Sequence, residues 1–312
     1  MNSTVLEAHN LTKKYKHSLV IDHINLRIEK GKIYGFIGQN GAGKTTFLRL
    51  TAGLSFPTDG TLELWGQRNR TGLQEQRKRM GCLIESPALY PNLTAVQNLE
   101  VQRLQRGIPG KSVISDCLRM TGLTDTAKKP VRNFSLGMRQ RLGIAAALLN
   151  NPEFLILDEP INGLDPNGIV EIRRLLKDLN QKYGMTILVS SHILEELYQT
   201  ASQFILIHKG RIIDELSGRE LDEQCKRYIA IKTNQPQNAL LSLEKHLHTE
   251  HLRLMPDGTI RLYEYLDDIE TVARTLSDSG ILVTTLNVSG DTLEDYFLRK
   301  VGAVSHAQNL KS

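Results

Sequence analysis

Apolar and polar positions fall into two regimes along the chain. In the first, short β-rich runs alternate with amphipathic stretches. Ile33–Ile37 is an apolar run ending in a glycine-rich loop, and the pattern predicts a helix from about Lys44. Phe154–Leu157 and Thr186–Ser190 are further short buried runs, and between them Ile169, Ile172, Leu175, Leu176 and Leu179 recur at helical spacing. Strand–helix repetition of this kind predicts a largely parallel, helix-covered sheet. Ile24–Ile28 alternates residue by residue, as a half-exposed antiparallel strand does.

The second regime starts near Glu220. Tyr228–Lys232 reads as a strand and Asn238–His246 as a helix. Leu252–Met255 and Thr259–Tyr263 flank a Pro-Asp-Gly turn, which is a hairpin signal. Asp267–Ser279 reads as a helix stopped by Gly280, Ile281–Val288 as a strand and Thr292–Lys300 as a last helix. The order is β-α-β-β-α-β. A chain of 312 residues suits two domains, placed here at 3–219 and 220–302, with 303–312 as a polar tail.

Charge separates the two regions further. Residues 1–219 carry 29 basic and 20 acidic side chains, and residues 220–312 carry 10 and 14. No Lys/Arg run or stripe marks a nucleic-acid arm, so no nucleic-acid partner is expected. The negative second region suits an accessory fold better than a binder of anionic polymers. No apolar run approaches the roughly 18 residues of a membrane span, and Met1–Thr4 opens no basic-then-apolar signal segment; the chain is expected to stay in the cytosol. The three cysteines, Cys82, Cys117 and Cys225, are far apart and form no C-x-x-C pair, so they read as reduced thiols.

The chemistry concentrates in the first region. Gly38-Gln39-Asn40-Gly41-Ala42-Gly43-Lys44-Thr45, followed by Thr46, matches G-x-x-x-x-G-K-[ST] between a predicted strand and helix. Glycines there let backbone N–H groups turn around phosphates at the positive helix end, Lys44 reaches the β/γ-phosphates, and the Thr45 hydroxyl suits Mg²⁺. The run Phe154–Leu157 ends in Asp158-Glu159, with Asp158 placed to hold Mg²⁺ and Glu159 to polarise the attacking water. Asn133–Gln140 precedes a helix expected at Leu142–Leu149, with Ser135 as its cap and N–H groups left to bind an anion. Ser190-Ser191-His192 closes the strand after the carboxylates.

With these motifs in this order, residues 3–218 resemble the ATP-binding subunits of ABC transporters. The resemblance implies a P-loop ABC-type α/β domain built of a mixed sheet core, an antiparallel subdomain and a helical subdomain; the small α+β domain of βαββαβ order that follows is read from the residue pattern of the second region. It implies that Tyr15 stacks on adenine and that His192 meets the γ-phosphate. Phe134–Met138 is similar to the family's Leu-Ser-Gly-Gly-Gln signature, with Ser135 and Gly137 retained. Asn162-Gly163-Leu164-Asp165 is similar to the loop that crosses to the partner subunit. Two copies are then expected to sandwich two ATP molecules head to tail, the signature of one closing on the nucleotide of the other, with Ser135, Gly137 and Asp165 counted among the nucleotide contacts. A separate membrane permease, met through Ser86–Leu104, is the implied partner, and the cytoplasmic face of the membrane the implied location.

One departure is informative. Where the family has a Gln that touches Mg²⁺ or the lytic water, this chain has Glu85, which adds negative charge and, ionised, accepts without donating. A tolerated polar swap is one reading; a catalytic or Mg²⁺-contacting role is another. Glu85, the Phe-Ser-Leu-Gly-Met signature and the C-terminal extension together look like ATPases of bacterial self-protection exporters for lantibiotics and bacitracin-like peptides. Two alternatives stand beside this: a soluble ABC ATPase acting on ribosome or DNA, and an ATP-gated regulatory module whose C-terminal domain binds an effector. His246, His248 and His251 space as H-x-H-x-x-H, but without acidic or Cys partners they read as a solvated helix end.

Overall fold

The computed structural model describes residues 3–16, 18–126, 128–290 and 293–309, with side chains up to residue 303. The chain divides into two units, Met1–Gly218 and Arg219–Ser312. In chain order the elements begin β1 (Thr4–Tyr15), β2 (Ser18–Glu29), β3 (Ile33–Ile37), α1 (Lys44–Ala52), β4 (Asp59–Leu64), α2 (Arg70–Arg77) and β5 (Met80–Leu83). Next come α3 (Ala95–Gln105), α4 (Ser112–Met120), α5 (Leu136–Leu148), β6 (Phe154–Asp158), α6 (Pro166–Tyr183), β7 (Thr186–Ser191), α7 (Leu194–Tyr198), β8 (Gln203–His208) and β9 (Arg211–Ser217). They are followed by α8 (Gly218–Cys225), β10 (Tyr228–Thr233), α9 (Pro236–Leu247), β11 (Leu252–Leu254), β12 (Ile260–Leu262), α10 (Ile269–Asp278), β13 (Val283–Ser289) and α11 (Leu293–Asn309).

The first unit is organised by a six-stranded sheet of order β5-β6-β7-β3-β8-β9, parallel except at β9. Strands β3, β6 and β7 are buried at every residue, which is why their sequences are near-continuous apolar runs rather than alternating ones. Helix α1 is clamped to this sheet by Phe47, whose ring lies 5.3 Å from that of Phe36 on β3. Both rings are fully buried, each contributing on the order of 2–3 kcal/mol of apolar burial. A three-stranded antiparallel sheet of order β2-β1-β4 packs its inner face into the same core. On β2 the alternation is clean: Ile24, Leu26 and Ile28 are buried, Asn25 and Arg27 exposed. Helices α3, α4 and α5 form the helical part. Helix α3 starts where it does because Thr94 and Gln97 make a reciprocal capping box. The architecture combines a mixed sheet, an antiparallel sheet and helices, as expected.

Register does the positioning. Ile37 of β3 pairs with Ser191 of β7, and Ser190 of β7 pairs with Asp158 of β6. Three parallel strands therefore end at one edge, and the residues that follow them meet there.

The second unit has the order β10-α9-β11-β12-α10-β13 and an antiparallel sheet ordered β11-β12-β10-β13. Its own core joins Ile229, Ile231, Ile260 and Leu262 of the sheet to Leu243 of α9 and Val272 and Leu276 of α10.

Two boundaries differ from expectation. Helix α5 begins at Leu136, not Leu142. Ser135 caps it, accepting from the Met138 N–H at 3.2 Å, so the signature residues after Ser135 form its first turn instead of a loop before it. The last helix runs to Asn309, past Lys300 and into the segment expected as a polar tail. Thr292 and residues 310–312 lie outside the described residues.

Candidate nucleotide site

The turn from β3 into α1 is shaped by steric demand. A Cβ on Gly38 would stand 2.6 Å from the Ile207 carbonyl oxygen, so the backbone passes β8 only without a side chain. Gly43 takes φ +111°, and a Cβ there would meet the Val20 carbonyl at 2.9 Å. Gly43 is also the N-cap of α1, and no side chain caps that helix. Its first N–H groups face a hollow of about 270 Å³ lined by Gln39, Asn40, Gly41, Gly43, Lys44, Thr45 and Thr46, with Val20, Glu159 and Asn162. Ala42 is buried beneath; its carbonyl accepts from the Gly210 N–H at 2.9 Å.

Lys44 is 5% exposed. Its ammonium donates to the carbonyls of Gly38 (2.6 Å) and Gln39 (3.3 Å) and lies 3.1 Å from Glu159 Oε1. Asp158, equally buried, accepts from the Thr45 hydroxyl at 2.7 Å and from the Ser190 hydroxyl at 2.6 Å. Glu159 breaks from β6 with φ +49°, uncommon for a residue with a Cβ and characteristic of functional turns. The bend is held because the Glu159 N–H donates to Ser190 Oγ at 3.0 Å. Its second carboxylate oxygen shares a hydrogen bond with His192 Nδ1 at 2.6 Å. Lys44, Thr45, Asp158, Glu159 and His192 thus form one connected cluster.

Ser190 and Asn162 belong to this cluster, although the sequence drew attention elsewhere. The signal for Ser190 was its place one strand over from Asp158 in a parallel register. Asn162 sits three residues past Glu159, where its amide N–H donates to the Glu159 carbonyl at 3.1 Å.

A nucleotide fits what is present. The hollow offers uncapped helix N–H groups, a buried ammonium and a base-sized carboxylate. Mg²⁺ fits as well: the Thr45 hydroxyl and the Asp158 carboxylate are hard oxygen donors in contact.

Other expected residues sit elsewhere. Tyr15 ends β1, 43% exposed, with the Lys13 ammonium 4.7 Å from its ring centre and its hydroxyl 3.2 Å from Ser55 Oγ; it is not among the residues lining the hollow. Ser135 and Gly137 are at the start of α5. A Cβ on Gly137 would make only ordinary contacts, 3.8 Å from Gly168 Cα, so this glycine is not required by packing within the chain. Asp165 is the N-cap of α6, accepting from the Gly168 N–H at 3.1 Å. Glu85, at φ +65°, is ion-paired with Arg49 of α1 and is mostly exposed. It is not among the residues lining the hollow. The three histidines of the second unit go separate ways: His246 Nδ1 pairs with the Ser242 carbonyl, His248 caps α9, and His251 stands 3.7 Å from Glu264. None of the three cysteines is in a disulfide among the described residues, and burial pushes the Cys82 and Cys117 thiols up to about 12.

The chain is similar to known proteins. The ABC transporter family profile matches residues 21–162. The bacitracin transport ATP-binding protein BcrA of Enterococcus faecalis is 41% identical over 298 residues, covering 96% of each chain. The lantibiotic transport ATP-binding protein SrtF of Streptococcus pyogenes is 43% identical over 211 residues, 68% of this chain and 90% of that one. Among solved structures, the ATP-binding cassette MJ0796 in a dimeric post-hydrolysis state with ADP and Pi superimposes at TM-score 0.62 and 27% identity, covering 69% of this chain and 99% of that one. Phosphate loop, strand-end carboxylates and histidine in one cluster, together with relatedness along almost the whole length, lead to one statement: the chain belongs to the ABC transporter family, as an ATP-binding subunit.

Proposed function

We propose that the chain hydrolyses ATP to drive expulsion of antimicrobial peptides of the bacitracin or lantibiotic type through a separate membrane permease. The observation that carries the chemistry is the Glu159 carboxylate, held between Lys44 and His192 at the mouth of the phosphate loop. Lys44 and the α1 N-terminus bind and orient the triphosphate. Glu159 takes a proton from the attacking water, and His192 holds that carboxylate in place. Thr45 and Asp158 would hold Mg²⁺, which offsets charge on the β/γ-phosphates when bound. Tyr15 serves the adenine, and Ser135, Gly137 and Asp165 serve the nucleotide of a second copy, in a head-to-tail ATP-bound homodimer. The uncrowded Gly137 supports that use.

The peptide cargo rests on the relatedness to BcrA and SrtF along the ATPase region, and for BcrA along the second unit too. Among the described residues no helix is long and apolar enough to cross a membrane. The subunit is therefore assigned to the cytoplasmic face through its permease. The test is a resistance assay in cells expressing this chain with its permease against bacitracin and lantibiotics. Resistance lost with Glu159→Gln is expected. No resistance to any such peptide with the intact pair would leave an ABC ATPase of another cargo.

A further inference from the structure

The second unit holds a site that the ATPase reading does not use. On β10 and β12, Ile229, Ile231, Ile260 and Leu262 point into the core beneath α9 and α10. Period-two alternation then puts Tyr228, Arg261 and Tyr263 on the opposite, open face of the sheet. That face, with α8 and α11 beside it, forms the floor of a half-open hollow of about 820 Å³, within the size range of small-molecule sites.

Its charge runs against that of its domain. Residues 220–312 carry ten Lys/Arg and fourteen Asp/Glu. Four of the cations line the hollow (Lys226, Arg253, Arg261 and Arg299), and only two of the carboxylates, Glu223 and Glu250. Glu223 is engaged by Arg219 at 3.8 Å. Among the described residues, Lys226, Arg253 and Arg261 have no carboxylate in ion-pair range. Two of them are positioned by aromatic faces instead: the Lys226 ammonium lies 4.4 Å from the Tyr263 ring centre, and the Arg261 guanidinium 4.4 Å from that of Tyr228. The two rings meet edge to face, 5.9 Å apart. A ring under the guanidinium fixes its plane and leaves its N–H edge free, the presentation that binds phosphate oxygens bidentately.

We propose that this hollow binds a small, soluble, multivalent phosphate compound, making the second unit a ligand-binding module of the ATPase subunit. Converging cations, of which Lys226, Arg253 and Arg261 have no carboxylate partner among the described residues, select for more than one negative charge, and the size of the hollow suits a small molecule.

The experiment titrates pyrophosphate into the full chain whose phosphate loop is already saturated with Mg²⁺ and a non-hydrolysable ATP analogue. One saturable site is expected, with a raised melting temperature. Arg253→Ala with Arg261→Ala should weaken it by at least about tenfold, Arg261→Lys by less because charge is kept and only the fork is lost. Arg274→Ala, an exposed arginine of α10 outside the hollow, should change nothing. Absence of a second site, or a second site indifferent to Arg253 and Arg261, overturns the proposal. So does binding confined to vesicles of anionic phospholipid, or binding of single-stranded RNA tighter than pyrophosphate through these arginines.

Discussion

Lys44 and Glu159 hold each other across the nucleotide site, Nζ 3.1 Å from Oε1, and the far oxygen of the same carboxylate is tied to His192. Residues 115 positions apart in the chain meet because β3 and β6 flank β7 in a parallel sheet and end at the same edge. Under the proposed mechanism, the pairing makes phosphate binding and base release one event. Phosphate oxygens and the Glu159 carboxylate compete for one buried ammonium, so a triphosphate that takes Lys44 frees the carboxylate to act on water.

Glu159→Gln separates the two roles. Glutamine keeps the size but neither the base nor the negative competitor for Lys44. ATP affinity should hold or rise, turnover should fall by about 10²–10⁴, and an ATP-bound dimer should accumulate in gel filtration. Wild-type turnover from a monomeric variant would remove Glu159 from the mechanism.

Lys44→Ala acts at the other end of the contact. It deletes a charge-assisted phosphate contact, of order 1.5–3 kcal/mol, so ATP binding should weaken by about 10- to 100-fold. Equilibrium nucleotide binding reads this directly. An unchanged dissociation constant would mean that the helix N–H groups alone hold the phosphates.

Glu85 and Arg49 form a second pair, one turn along α1 from Thr45. Both are substantially exposed, 60% and 41% at their side chains, so the pair contributes at most about 1 kcal/mol to stability. It joins the phosphate-loop helix to the segment entering Ser86–Leu104. Glu85→Gln and Arg49→Ala should each leave basal ATPase activity within about threefold (roughly 0.6 kcal/mol) while lowering peptide resistance in cells carrying the permease. Loss of hydrolysis in Glu85→Gln alone would return Glu85 to the catalytic set.

Much of this was legible in the residues because it is local. The phosphate loop, the strand it leaves, the Asp158-Glu159 strand end and the βαββαβ order of the second unit are short-range patterns of glycine, apolar periodicity and turn residues. Ser135 was legible as a cap-type residue. The start of α5 was not, because Leu-Gly-Met-Arg holds a helix-weakening glycine and the Ser135 cap is what fixes the first turn. The twelve-residue strands β1 and β2 were only partly legible, since register shifts such as that between Ala8 and Leu11 break their alternation. Pairings across long separations, Arg49 with Glu85 or Asp22 with Arg211, leave no mark in a sequence. The hollow of the second unit is likewise assembled from six elements and the loops beside them, and the net negative charge of residues 220–312 concealed its cations.

The Asp22–Arg211 pair gives the protein a pH-dependent brace beneath the phosphate loop. The Asp22 N–H donates to the Gly210 carbonyl, and the Gly210 N–H donates to the Ala42 carbonyl, both at 2.9 Å. The Asp22 carboxylate itself is bonded to Arg211 at 2.5 Å and His23 at 2.6 Å. Burial alone would raise this carboxyl, but the hydrogen bonds from His23 and Arg211 outweigh it and hold it below its ordinary 3.8. A carboxyl depressed on folding contributes stability that is fully present above its unfolded pKa of about 4 and is lost as pH falls through the folded value. Asp22→Asn should therefore cost about 1–2 kcal/mol at neutral pH. That difference from wild type should shrink steadily as pH falls below about 4. Arg211→Ala should show the same dependence, since it removes the partner rather than the carboxyl. Urea unfolding of the three proteins from neutral pH down to the acid limit measures it. A cost independent of pH would mean that Asp22 serves by shape and backbone bonding alone.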